Sequence, residues 1–236
     1  MFRSRNFKIL FPAYVLVLSL FFGSALWFNS AVETAVESLP ITRSNIVIID
    51  AGHGGVDGGA TSCTGIRESQ LNLQIAVRVN DLLKLLGIKT IMIRTEDVSI
   101  YTEGKSIAQK KVSDLKNRVN IVNTTKDGIL LSIHMNHFSD SRYYGPQVFY
   151  SDNAVSCSFA ETMQTAIRNY LESNSNRTIK KATGVYLMQH INRPGILIEC
   201  GFISNPEEES KLRDSAYQLK MSAVIATVTA SFLSNT

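Results

Sequence analysis

The sequence predicts an α/β fold: a single three-layer domain in which a twisted, mostly parallel sheet of about six strands carries helices on both faces. Three observations point there. Short runs rich in β-branched residues recur at residues 46–50, 128–136 and 195–200, separated by longer stretches with helical spacing. The first run is followed by an apolar helical stripe, a stop at Gly87 and a second apolar run, a βαβ unit that implies parallel pairing. Each of the three runs also ends in or beside a side chain that can bind metal or move a proton, and in open α/β sheets ligands bind outside the carboxyl ends of the strands.

In chain order, Arg3, Arg5 and Lys8 precede a stretch without charge from Ile9 to Phe28. At roughly 1.5 Å per residue such a helix crosses a hydrocarbon core of roughly 30 Å, and the basic flank orients the remainder outward. Residues 1–29 therefore read as a membrane anchor or signal segment; a cleavable signal peptide is the competing reading, although an Ala-x-Ala site is hard to find between Leu26 and Ala35. Residues 30–44, with Pro40 and no sustained period, read as a linker, and residues 45–236 as the catalytic domain. The first strand ends at Asp50 and breaks into a loop holding Gly52, Gly54, Gly55, Gly58 and Gly59 around His53. Residues 69–86 carry apolar side chains at helical spacing, residues 89–94 form a second strand, and the polar residues 95–113 are expected as a long connection, a lid or docking loop. A helix over 114–123 leads into the strand that carries His134. A strand at 147–150, a helix at 155–172, a basic polar loop at 174–183, strands at 184–188 and 195–200, and helices at 206–212 and 217–233 complete the expectation.

The composition narrows the function classes. The chain has 236 residues and is 44% hydrophobic, enough for one full core. Cys63, Cys157 and Cys200 are too few and too scattered for a disulfide framework or a cysteine-based zinc knot. Discounting Arg3, Arg5, Lys8 and Arg43 against Glu33 and Glu37 removes half of the formal charge of +4, and no basic run remains. Nucleic acid is not an expected partner.

Four residues carry the chemistry. His53 and His134 end or follow strands, and the glycine loop lets Glu68, just before the first long helix, fold back toward them. Two imidazoles and one carboxylate form an open three-ligand set of the kind that holds catalytic Zn2+. A carboxylate at Glu199, at the end of an apolar strand, is costly to bury without a partner or a task, and fits a proton acceptor. Singly, each histidine is more often a hydrogen-bonded structural residue, and a Glu before a helix is most often a charge favoured by the dipole. Together they favour a metal-dependent hydrolase. His137 and His190 read as surface residues. Cys200, on the opposite strand face from Glu199, reads as a small buried apolar residue. Asp57 stands where the last glycine of a phosphate-binding loop belongs.

The runs AGHGGVDGGA, RESQLNL, SIHMN and IECGFISN resemble, in order and spacing, the signature of the zinc-dependent N-acetylmuramoyl-L-alanine amidases, over essentially residues 45–235. Within that family GVYLMQ, RPGILIE and FISNPEE are similar to the germination-specific members of endospore formers. The resemblance implies Zn2+ on His53, Glu68 and His134, with Glu199 as catalytic base. It implies peptidoglycan as substrate, cut between the lactyl group of N-acetylmuramic acid and L-alanine, and a role in muramic δ-lactam formation in spore cortex, outside the cytoplasm at the forespore envelope. Asp57, Asn136 and Arg118 match family positions and are expected to support the ligands. His137 and Phe138 replace small residues common in the family, so the rim of the groove is expected to differ. An accessory protein or a homodimer is compatible with the sequence, which names no residue for either. The alternatives are a zinc peptidase or deacetylase on another wall component, or a non-catalytic wall-binding module.

Overall fold

Central strands that are apolar on both faces set the architecture. In the computed structural model, which describes residues 45–172 and 174–235, β1 (Ile46–Ala51) points Val47, Ile49 and Ala51 to one face and Ile48 and Asp50 to the other. The same division runs through β3 (Gly128–Asn136) and β6 (Gly195–Phe202). Ile129, Leu131, Ile133, Ile196, Ile198 and Cys200 join the larger core, while Leu130 and Leu197 join the smaller one. With β2 (Thr90–Met92), β4 (Gln147–Tyr150) and β5 (Lys180–Lys181) the sheet order is β2-β1-β3-β6-β4-β5. The pairings β1–β2, β1–β3, β3–β6 and β4–β5 are parallel, and β4 runs antiparallel to β6.

Helices cover both faces, as a sheet buried on each side requires. On the larger core lie α1 (Glu68–Leu85), α3 (Ala154–Tyr170) and α6 (Ser215–Ser234), with α6 packed between the other two. Their contributions include Leu71, Ile75, Phe159, Met163, Met221 and Ile225. The smaller core is closed by α2 (Ile107–Thr124) and α4 (Tyr186–His190) through Val122, Leu187 and Met188. The short α5 (Pro206–Arg213) inserts Leu212 under the end of β6. The predicted three-layer α/β domain is the one observed.

Helix starts follow local chemistry. Ser106 and Gln109 form a reciprocal capping box on α2, and Asn153, Asn205 and Asp214 cap α3, α5 and α6 with their side chains. Helix α1 has no side-chain cap. Its first N–H groups donate instead to glycine-loop carbonyls, Glu68 to Ala60 (2.8 Å) and Ser69 to Gly58 (3.1 Å).

Three expectations are corrected. Residues 184–188 form no strand, because Tyr186–His190 turns as α4 and buries Leu187 and Met188. The connection expected to run to Ser113 is shorter, since α2 begins at Ile107 under its capping box. The basic segment 174–183 contains the two-residue strand β5. The expected anchor and linker, residues 1–29 and 30–44, lie outside the described residues. Among the described residues no helix is long and apolar enough to cross a membrane.

Candidate metal centre

The site forms where the chain reverses direction across the sheet. After β1 the chain adds β2 on one side, then returns through α2 to place β3 on the other, so a crevice opens beyond the carboxyl ends of β1 and β3. Alternation along β3 and β6 sends Ser132, His134 and Glu199 to the same face as Asp50. His134 and Glu199 are register partners, and the pairing shifts by a bulge between His134 and Asn136. Bulges redirect side chains next to functional sites.

His53 arrives from the glycine loop with φ at +60°, a left-handed conformation that costs a residue with a Cβ about 1 kcal/mol or more. Tertiary contacts hold it there. Arg118 donates to the carbonyl of His53 (2.7 Å), to Ala51 O (3.1 Å) and to the Asp50 carboxylate (2.5 Å), and its Nε reaches Asp114 (2.6 Å). Arg94, almost fully buried, donates to the carbonyls of Ala51, Gly52, Ser69 and Glu96 at 2.8–2.9 Å. Two glycines are required by space. A Cβ on Gly52 would lie 2.2 Å from the His134 ring, and one on Gly59, whose φ is +69°, would lie 2.6 Å from Glu68 Oε2.

The loop carbonyls that cap α1 fold Glu68 back onto the two imidazoles. Glu68 Oε2 lies 3.3 Å from His53 Nε2, and Oε1 lies 3.0 Å from His134 Nδ1. The carboxylate is fixed by the amides of Ala60 (3.0 Å) and Met135 (3.2 Å) and by Asn72 Nδ2 (3.2 Å). One ligand atom from each of His53, Glu68 and His134 lies within 4.8 Å of the others. His53 Nδ1 is 3.0 Å from Asp57 Oδ2, which also meets Lys111 Nζ at 3.1 Å. That contact orients the ring and leaves Nε2 for an ion, the usual arrangement behind a metal-ligating histidine.

Charges in the pocket favour a cation. Burial opposes the charged form of His53, but the Asp57 and Glu68 carboxylates outweigh it and raise its pKa to about 9. Burial likewise works against the Glu68 carboxylate, yet contacts with His134 and His53 hold its pKa well below the usual range. At Glu199 burial dominates. Its pKa is pushed up to about 7, with His134 pulling it down and Glu68 pushing it up. Glu199 Oε2 is buried and, among the described residues, has no hydrogen-bond partner. A buried carboxylate oxygen left without a partner is costly, which marks it as a group waiting for a proton, water or substrate.

Two imidazole nitrogens and a carboxylate oxygen suit zinc or a similar borderline divalent ion. His53, Glu68 and His134 are thus brought together as expected, with Glu199 beside them. Asp57 touches His53, and Arg118 holds its backbone. Asn136 instead ties the end of β3 to the residue after β6, its carbonyl accepting from the Ile203 amide (2.8 Å). His137 and His190 are exposed. Cys200 is fully buried in the larger core, and burial raises its thiol pKa. Sequence reasoning missed Asp50, Arg94, Asn72 and Ser132. Asp50 ends an apolar strand, a signal that was available, whereas Arg94 and Asn72 act on backbone carbonyls distant in sequence and left no trace.

The chain is similar to known proteins in sequence and fold. Residues 47–230 match the family described as N-acetylmuramoyl-L-alanine amidase. The germination-specific N-acetylmuramoyl-L-alanine amidase of Bacillus subtilis is 38% identical over 190 residues, 80% of this chain and 79% of that protein. The CwlD amidase of Clostridioides difficile, solved in complex with the GerS lipoprotein, is 35% identical with a TM-score of 0.78, covering 81% of this chain and 100% of that one. An N-acetylmuramoyl-L-alanine amidase from Clostridium difficile 630 is 32% identical with a TM-score of 0.69, covering 80% and 96% of the two chains.

Proposed function

The chain belongs to the N-acetylmuramoyl-L-alanine amidase family, and from that premise we propose that it is a zinc-dependent enzyme cutting the amide between the lactyl group of N-acetylmuramic acid and L-alanine of the peptidoglycan stem peptide. The observation that carries the reading is the convergence of His53, Glu68 and His134 within 4.8 Å beside a buried, partnerless Glu199 oxygen. His53, Glu68 and His134 would hold the ion. Zinc bound there supplies a Lewis acid for the amide carbonyl and a water acidified to a pKa of about 7.

The remaining chemistry belongs to the protein. Glu199, with a pKa near 7, takes a proton from the attacking water and returns it to the alanine nitrogen as the carbon–nitrogen bond breaks. The products are a free lactyl carboxylate on the sugar and a stem peptide with a free amine. Asp57 keeps the His53 ring oriented, and Arg118 and Arg94 keep its loop in place.

The finer biology extends the same reading. The germination-specific relative supports a role in cortex modification, where removal of the peptide frees the carboxyl needed for a muramic δ-lactam. The complex of the Clostridioides difficile relative with a lipoprotein supports an accessory lipoprotein as partner. The uncharged stretch between Ile9 and Phe28 supports export and action outside the membrane, with residues 45–236 as the catalytic part.

Two substitutions test the assignment. Glu199→Gln is expected to keep one zinc per chain and lose at least a hundredfold in stem-peptide release from purified peptidoglycan. His53→Ala is expected to lose both zinc and activity. An active Glu199→Gln protein, or wild-type protein that binds no stoichiometric zinc when metal-replete, would overturn the reading.

A further inference from the structure

Beyond the metal site, three aromatic rings stand about half exposed on one small area: Phe138 (49%), Tyr143 (47%) and Tyr144 (48%). Phe138 and Tyr143 are held by ring contacts and Tyr144 by its backbone. Phe138 and Tyr143 meet edge to face with centroids 4.7 Å apart, and Tyr143 lies 6.2 Å from the buried Phe202, which the Arg177 guanidinium covers at 4.5 Å. The backbone beneath is pinned by the FISNPEE run. Asn205 Nδ2 donates to the carbonyls of Ser141 (2.9 Å) and Tyr143 (3.3 Å), and Glu208 Oε2 accepts from the amides of Gly145 (2.9 Å) and Phe202 (2.8 Å). The Phe138 amide donates to Ser204 Oγ (3.1 Å), and Arg177 Nε donates to Tyr144 O (2.6 Å). Exposed apolar rings held this firmly on a surface mark a binding site rather than a packing accident.

Position and chemistry identify the occupant. Phe202 pairs with Asn136, three residues past Glu199 on β6 and two past His134 on β3, so the ring beneath the shelf lies roughly 7–10 Å from those residues along the strand direction. Beside the rings opens a cavity of about 310 Å³ lined by Arg142, Tyr143, Tyr144, Ser175, Asn176 and Arg177. The amide assigned to the metal site joins a peptide to a sugar, so further sugars of the strand must leave the site across one of its rims. An acidic peptide would need free cations here. Arg142 is already paired with Asp140 (2.7 Å), and Arg177 is occupied by Tyr144 O and Gln147 Oε1. Flat apolar rings beside amide and hydroxyl groups suit the C–H faces and the hydroxyl and acetamido groups of pyranoses.

We propose that Phe138, Tyr143 and Tyr144 form a saccharide-stacking shelf that binds the glycan strand next to the muramic residue being processed. This rests on the amidase reading of the neighbouring site. The test is retention of wild-type protein on glycan strands stripped of stem peptides, with free stem peptide as competitor. Binding to the strands, unaffected by free peptide, is expected. Phe138→Ala and Tyr143→Ala should each weaken it about tenfold and raise KM for intact peptidoglycan with little change in kcat, whereas Tyr143→Phe, which keeps the ring, should bind as wild type does. No binding by wild-type protein, alanine variants that bind equally well, equal loss in Tyr143→Phe, or competition by free stem peptide would overturn the shelf. Release of stem peptides by the wild type, measured alongside, judges the amidase reading separately: release without strand binding removes only the shelf, and strand binding without release removes only the amidase.

Discussion

Asp50 and Arg118 are both almost fully buried and meet at 2.5 Å, while Ser132 Oγ donates to the second Asp50 oxygen at 2.6 Å. Burial penalises the Asp50 carboxylate, but Arg118, His134 and Ser132 outweigh it and hold its pKa below the usual aspartate range. Arg118 in turn stays charged against its own burial through Asp50 and Asp114. Removing one partner of such a pair strands the other charge, at a cost of about 3–5 kcal/mol. Asp50→Asn should therefore destabilise by that order at neutral pH. Because the folded pKa is depressed, the contribution is present in full above the ordinary aspartate range and is lost only as pH falls through the lower folded value. Urea unfolding of both proteins at a series of pH values checks this, with the two curves converging only in strong acid. Arg118, which Asp50 holds in place, donates to the His53 carbonyl, so Asp50→Asn should also reduce zinc affinity, read by competition with a chelator.

Among the elements, α2 has the most to do for its length, since it delivers Arg118 to the His53 loop and Lys111 to Asp57. Its start depends on Ser106 accepting from the Gln109 amide and on Gln109 reaching back to the Ser106 amide. Ser106→Ala should lower unfolding free energy by about 1 kcal/mol while leaving zinc content unchanged, because the first turn is exposed and Arg118 lies three turns on. Chemical denaturation with parallel metal analysis reads both. This helix also shows what the sequence concealed. Ile107 and Val112 face solvent, so the first two turns have no apolar stripe, and only the Ser-x-x-Gln signal marks them. The short α4 was opaque for the opposite reason: five residues cannot display a 3.6 period, and Val185-Tyr186-Leu187 imitates a strand. The long elements were legible because the continuous β-branched apolar runs of β1, β3 and β6, buried on both faces, and the stripe on α1 leave one way to bury each. The residues proposed as ligands were legible because they stand at or beside the ends of those elements, whereas Arg94 was hidden because its partners are carbonyls that only the fold brings together.

At the scale of the whole molecule, the proposed ion joins the loop after β1 to α1 and β3, and all three elements contribute to the larger core. A ligand that binds only the folded state stabilises it by mass action, about 2.7 kcal/mol at 100 times its Kd. Chelation should lower the melting temperature by roughly 5–10 °C and abolish stem-peptide release, with both restored by zinc and neither by magnesium. Calorimetry of the chelated and reloaded protein decides it, and equal melting temperatures would argue against a bound ion at this junction. The two ends of the sheet bear on a different property. An open sheet exposes unpaired backbone groups at its outermost strands, which can recruit strands from other molecules. Among the described residues one outermost strand is three residues long and the other is the pair Lys180–Lys181, two exposed lysines parallel to β4. Both margins are short and the Lys180–Lys181 margin carries two charges, so neither offers a neighbour much ladder to extend, a guard against edge-to-edge assembly.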